Sequence, residues 1–141
     1  MSLTAAIKAS SSALDAERAR LEVAVSNIAN AESTRGADGQ PYRRRDVVLA
    51  PTTVESFDAA LGKAGATGVT VSGIIEDQTP FRKRYEPSHP DADSDGYVAV
   101  PNVDVPEEMV DMVGAARAYQ ANITAINVIR DTIQRSLELG K

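Results

Sequence analysis

Cysteine and tryptophan are absent from this chain, and only six aromatic residues, four tyrosines and two phenylalanines, serve 141 positions. Without cysteine neither a disulfide framework nor a thiolate metal site can be built, and the redox compartment stays open. With so few rings, a core must be filled mainly by aliphatic side chains and alanine. Basic residues are also in the minority, 15 against 20 acidic, and a net charge of −5 argues against broad attraction to nucleic-acid phosphates or anionic lipid. No apolar run approaches the roughly 20 residues of a membrane span, and the N-terminal stretch lacks the apolar region and cleavage site of a secretory signal. The length suits one ordinary domain.

What the chain does have is helix at both ends. Ile7, Leu14, Leu21 and Ile28 are spaced by seven, with Leu3, Ala24 and Val25 at intermediate positions. Ser10 and Glu17 interrupt the seam, so the pattern predicts a helix over 3–30 packed on one side and wetted on the other. Asn27, Asn30, Ser33, Thr34, Gly36, Asp38, Gly39 and Pro41 then crowd together and end it. Asp104 reads as an N-cap, followed by Pro106 in the first turn and Glu107 three residues after the cap. Glu107 and Glu108 also suit the positive end of the helix dipole. From there Met109, Met112, Ala116, Tyr119, Ile123, Ile126, Ile133 and Leu137 recur by threes and fours, broken once by Arg130, until Gly140 supplies a stop. Helices over 3–30 and 105–139 would be about 42 and 52 Å long, more than a compact domain of this size requires. Val110, Val113, Ala121 and Val128 face away from the main stripe, so one partner helix cannot cover the second helix and other subunits must.

The intervening residues hold 7 of the 9 glycines and all but one proline. Val69, Val71 and Ile75 alternate as a strand does, and further short strands are expected over 42–49, 81–86 and 97–100. Residues 51–68 read mostly as loop, with at best a short helix over 55–61. The expected fold is therefore α+β: long N- and C-terminal helices packed together as a coiled-coil-like rod (1–34 and 103–141), with a small antiparallel β insert (35–102) between them. Charge is divided in the same way, net −1 over 1–34, +2 over 35–84 and −6 over 85–141, an arrangement that favours head-to-tail contacts between chains.

Chemistry-bearing motifs are sparse. Asp91, Asp93, Asp95 and Gly96 imitate the opening of a calcium loop, but Asn102 stands where the bidentate glutamate belongs and a strand replaces the second helix. A tight acidic turn is the preferred reading. His89 lies beside Ser88 and Asp91, yet neighbours in sequence do not converge on one substrate atom without a fold that presents them, and no nucleophile elbow is present. No catalytic residue, cofactor or metal is therefore assigned. The basic triplets Arg43-Arg44-Arg45 and Arg82-Lys83-Arg84 read either as solvated strand edges or as partners for a neighbour's acidic tail, and the sequence does not choose.

Three segments together resemble one family. They are Ser26-Asn27-Ile28-Ala29-Asn30-Ala31, then Pro41-Tyr42-Arg43-Arg44-Arg45-Asp46-Val47-Val48, and a stretch from Tyr85-Glu86-Pro87-Ser88-His89-Pro90 through Gly96-Tyr97-Val98-Ala99 and Glu107-Glu108-Met109 to Tyr119-Gln120-Ala121-Asn122. In this order they resemble the bacterial flagellar basal-body rod family, within the wider rod, hook and hook-associated group. Ser33-Thr34-Arg35-Gly36 and Pro106 depart from its pattern. The resemblance implies a non-catalytic subunit of the proximal rod, the drive shaft joining the membrane-embedded ring to the distal rod and hook. It implies terminal helices forming an inner tube with the β region outside. It also implies periplasmic location and export through the flagellar type III apparatus without signal cleavage. Implied partners are copies of itself, other proximal and distal rod subunits, the rod-to-ring adaptor and the export apparatus, with no nucleic acid and no small-molecule substrate. Asn27, Ala29 and Asn30 match the family's helix-end motif, where the asparagines would cap the helix and bond to adjacent chains. The expected assembly interface comprises Ile7, Leu14, Leu21 and Ile28 on the first helix, with Met109, Met112, Tyr119, Ile123, Ile126, Ile133 and Leu137 on the second. A cytoplasmic coiled-coil adaptor or binding module, or another rod subunit of the same family, is the alternative reading.

Overall fold

A computed structural model describes residues 3–53 and 67–139. Helix α1 (Leu3–Ala29) is followed by strands β1 (Arg45–Thr53), β2 (Thr67–Glu76), β3 (Arg82–Tyr85) and β4 (Tyr97–Val100), and then by helix α2 (Val105–Leu139). This is the α+β arrangement of two long terminal helices about a small β region. The strands make two two-stranded sheets, β1 with β2 and β3 with β4, the second antiparallel with Arg82 opposite Val100 and Tyr85 opposite Tyr97. Of the loop expected over 51–68, residues 54–66 lie outside the described residues, as does the short helix over 55–61. The flanking residues 51–53 and 67–68 are strand. Gly140, the expected stop of α2, also lies outside them.

The described chain divides into two compact units. One comprises residues 3–19, 48–53, 67–73 and 114–139, and its buried residues are small: Ala5, Ala16 and Ala115 are each at most 3% exposed. Alanine brings backbones close at no cost in side-chain entropy, as the shortage of aromatics anticipates. The Ser12 hydroxyl donates to the Ala9 carbonyl at 2.8 Å and accepts the Val69 N–H at 3.1 Å, fastening β2 to α1. Along α2, Asn122, Thr124, Thr132 and Ser136 each donate to the carbonyl four residues earlier in their own helix.

The other unit comprises residues 20–47 and 74–113. Val98, Pro101, Val103 and Ala24 are its buried apolar residues. The start of α2 follows the capping rule, since the Asp104 carboxylate accepts the Glu107 N–H at 3.3 Å. At the end of α1 the Asn30 side chain donates to the Ser26 carbonyl at 2.8 Å, reinforcing the bond that the Asn30 N–H makes to the same oxygen at 3.1 Å. Strand β1 begins three residues later than the alternation over 42–49 predicts. The backbone of Tyr42 and Arg44 is engaged elsewhere: their N–H groups donate to the Ser33 carbonyl at 3.0 Å and to Asn102 Oδ1 at 2.9 Å.

Burial on the helices falls on a different line from the aliphatic stripes. Ile7, Leu14, Leu21 and Ile28 are half-buried, while the deepest positions on α1 are Ala5, Ala16, Ala24 and Asn27. On α2 the deepest are Glu108 and Ala115, one residue out of phase with Met109 and Ala116, which are exposed. Small and polar residues sit where the chain packs on itself. The larger aliphatics flank that line or face outward.

Candidate functional site

The best-formed constellation is a polar node in the second unit, built on Asn27, Tyr42, Arg44 and Glu108. Asn27 is fully buried and spends its whole hydrogen-bonding capacity. Its amide nitrogen donates to the Arg45 carbonyl at 2.8 Å and to Glu108 Oε2 at 2.9 Å. Its oxygen accepts the Tyr42 hydroxyl at 2.9 Å and the Arg45 N–H at 3.0 Å. Glu108, 2% exposed, completes the pattern by accepting Arg44 Nε at 2.6 Å on Oε1. The Arg44 guanidinium also lies 3.7 Å from both Asp46 and Asp111. Burial works against its charge, but the hydrogen bond and charge of Glu108, helped by Asp46 and Asp111, outweigh this and hold its pKa above the ordinary value. A buried carboxylate is tolerated here because each oxygen meets a donor and a cation stands beside it.

This arrangement decides several matters the sequence left open. Asn27 does not cap α1 or reach outward; that task falls to Asn30, while Asn27 joins the helix end to the backbone of Arg45 and the first turns of α2 within one chain. The basic triplets are largely neutralised in the same way. Arg43 lies 4.3 Å over the Phe81 ring, Arg45 is 5.6 Å from the Tyr42 ring and 3.7 Å from Glu76, and Arg84 pairs with Glu32 at 2.9 Å and Glu86 at 2.7 Å. Arg82 donates to the Val103 carbonyl and lies 3.6 Å from Asp104. Glu108 is the residue that sequence reasoning assigned only to the helix dipole. Its signal was present in the spacing, because it stands four before Met112 and seven before Ala115, on the inward face.

The acidic turn behaves as a turn. Asp93 Oδ1 accepts the N–H groups of Asp95 at 3.0 Å and Tyr97 at 2.8 Å, and Gly96 takes φ of 81°. Asp91 is engaged by the Thr34 hydroxyl at 2.9 Å. His89 accepts the Asp91 N–H on Nδ1 at 3.1 Å. Among the described residues no group of three or more metal-ligating side chains is gathered.

Of the residues expected to form an interface, Met112, Tyr119, Ile123, Ile126 and Ile133 are half-buried, whereas Met109 is 51% and Leu137 66% exposed. Val110, Val113 and Val128 are exposed by 71, 45 and 60%. No helix among the described residues is long and apolar enough to cross a membrane.

Long helices with outward aliphatic residues, locked at one end by a satisfied polar node, describe a structural, assembly-forming class of protein. Comparison with known proteins sharpens this. The family described as "Flagella basal body rod protein" matches residues 7–37, and that described as "Flagellar basal body rod FlgEFG protein C-terminal" matches residues 94–139. The chain is 48% identical to the flagellar basal-body rod protein FlgC of Salmonella typhimurium over 92% of each chain. It is 44% identical to FlgC of Bacillus subtilis over 96% of each, and 38% identical to FlgC of Borreliella burgdorferi over 99% of this chain and 98% of that one. The chain belongs to the FlgC family of flagellar basal-body rod proteins.

Proposed function

We propose that this rod subunit assembles through the outward aliphatic faces of its terminal helices and that its work is mechanical. Residues 1–34 and 103–141 form the inner tube that transmits torque and lines the export channel, and residues 35–102 lie outside it. No residue carries out chemistry. The neighbours are copies of the chain, other proximal and distal rod subunits and the rod-to-ring adaptor. The chain reaches its periplasmic position through the flagellar type III apparatus with no signal peptide removed.

The observation that carries this reading is the exposure of Met109, Val110, Val113, Val128 and Leu137 along one helix. The hydroxyl and amide groups of Asn122, Thr124, Thr132 and Ser136 bond to their own helix backbone, so the exposed aliphatic side chains stand beside polar groups already engaged within α2. The test is Val128→Asp, a change at a site open to water in the single chain. The purified variant should keep wild-type helix content and thermal midpoint yet vanish from detergent-extracted basal bodies, because assembly would bury an unpaired carboxylate at a cost of several kcal/mol. Normal swimming and normal incorporation of the variant would refute the proposal, and a wild-type chain that fractionates only with the cytoplasm would favour an adaptor.

A further inference from the structure

Two of the chain's four tyrosines are displayed side by side on one face of the β3–β4 ribbon. The register pairs Lys83 with Ala99 and Tyr85 with Tyr97, so these four share a face while Val98, fully buried, points the other way. Tyr85 is 63% and Tyr97 43% exposed, and their rings meet edge to face with centroids 5.2 Å apart. The Tyr85 ring also lies close over Gly96: a Cβ built there would stand 2.9 Å from Tyr85 Cε2 and 3.2 Å from Pro87 Cβ. The platform is therefore held in place before anything binds, which lowers the entropy cost of docking. At its edge Lys83 differs from its neighbours. Arg82 and Arg84 are paired within the chain, whereas Lys83 is exposed and has no partner among the described residues.

A complementary surface lies on the first turns of α2. Pro106, Glu107 and Val110 line an open hollow in which Val110 is 71% exposed, and the exposed Glu107 carboxylate has no partner among the described residues. One surface is aromatic with an unpaired cation, and the other is aliphatic with an unpaired anion. We propose that Lys83, Tyr85 and Tyr97 of one copy dock the first turn of α2 of a second copy, Lys83 pairing with Glu107 and the tyrosine rings covering Pro106 and Val110. Because two different patches meet, the contact is heterologous and repeats from copy to copy in one direction, as a ring or a helical line requires. This inference rests on the rod reading and names one of its contacts.

The absence of native cysteine makes the test clean. In basal bodies from cells co-expressing Lys83→Cys and Glu107→Cys copies, a bismaleimide should yield a covalent dimer that neither variant gives alone. Separately, Lys83→Glu and Glu107→Lys should each cut incorporation at least tenfold while leaving the circular dichroism of the purified chain unchanged, and the double exchange should restore it to within twofold of wild type. A wild-type chain present in basal bodies, with no mixed dimer and with charge reversals that incorporate normally, would overturn the docking and leave the rod reading standing. A wild-type chain absent from basal bodies would overturn both.

Discussion

Replacing Glu108 by glutamine alters a single atom type, and the node leaves that change nowhere to go. Glu108 Oε1 accepts Arg44 Nε at 2.6 Å and Oε2 accepts Asn27 Nδ2 at 2.9 Å, so donors face both oxygens. A glutamine has one acceptor oxygen and one donor nitrogen. Whichever way its amide turns, one N–H points at another N–H, and the charge-assisted bond to Arg44 is weakened as well. Losing a buried hydrogen bond to a charged group and leaving donors unpaired costs about 2–4 kcal/mol. The lower end is favoured because Arg44, with 22% of its side chain exposed, keeps some water and keeps Asp46 and Asp111 at 3.7 Å. Urea denaturation of the full chain, followed by helical circular dichroism, should therefore show the folded-to-unfolded ratio falling at least about 30-fold. The double variant Asn27→Asp with Glu108→Gln should recover about half the loss. Its new carboxylate can accept the glutamine amide as well as the Tyr42 hydroxyl and the Arg45 N–H, but it then faces the Arg45 carbonyl without a proton to give. A Glu108→Gln unfolding free energy within about 0.5 kcal/mol of wild type would refute the claim that this carboxylate holds the node together.

Gly96→Ala should cost about 2–3 kcal/mol, since φ is 81° and the new methyl meets the Tyr85 ring and Pro87, whereas Gly39→Ala, at φ 79° with open space around it, should cost only about 1; parallel melts decide. Ala115→Leu should destabilise by about 1–3 kcal/mol because the site is 1% exposed, while Met109→Leu, at 51%, should leave the midpoint unchanged. The Thr79 side chain and backbone both donate to Asp77 and hold its pKa below the ordinary 3.8, so its stabilisation is complete above that value and is lost as pH falls through the lower folded value. Thr79→Val should raise the Asp77 pKa in an NMR titration, and an unmoved value would remove the hydroxyl from the explanation.

What could be read from residue order was whatever depends on neighbours along the chain. The period of Ile7, Leu14, Leu21 and Ile28, the Asp104 cap and the alternation of Val69, Val71 and Ile75 are local patterns, and the helices and strands appear close to where those patterns place them. The family motif was legible for the same reason, as a fixed succession of residues. Which helix face turns inward was not legible. Hydrophobic spacing points to the large aliphatics, but close approach of backbones selects alanine, so Ala5, Ala16, Ala24 and Ala115 lie deeper than the isoleucines and leucines beside them. The polar node was hidden for another reason. Asn27 and Glu108 are 81 positions apart, and a buried carboxylate is acceptable only where a distant amide and a distant guanidinium arrive at both of its oxygens together. The same long-range pairing turned the arginine triplets from candidate intermolecular contacts into internal ties, leaving Lys83 exposed between two arginines already engaged within the chain. Sequence determined the two rods and the strands between them; tertiary structure decided which of their charges are consumed inside the chain and which remain to meet another.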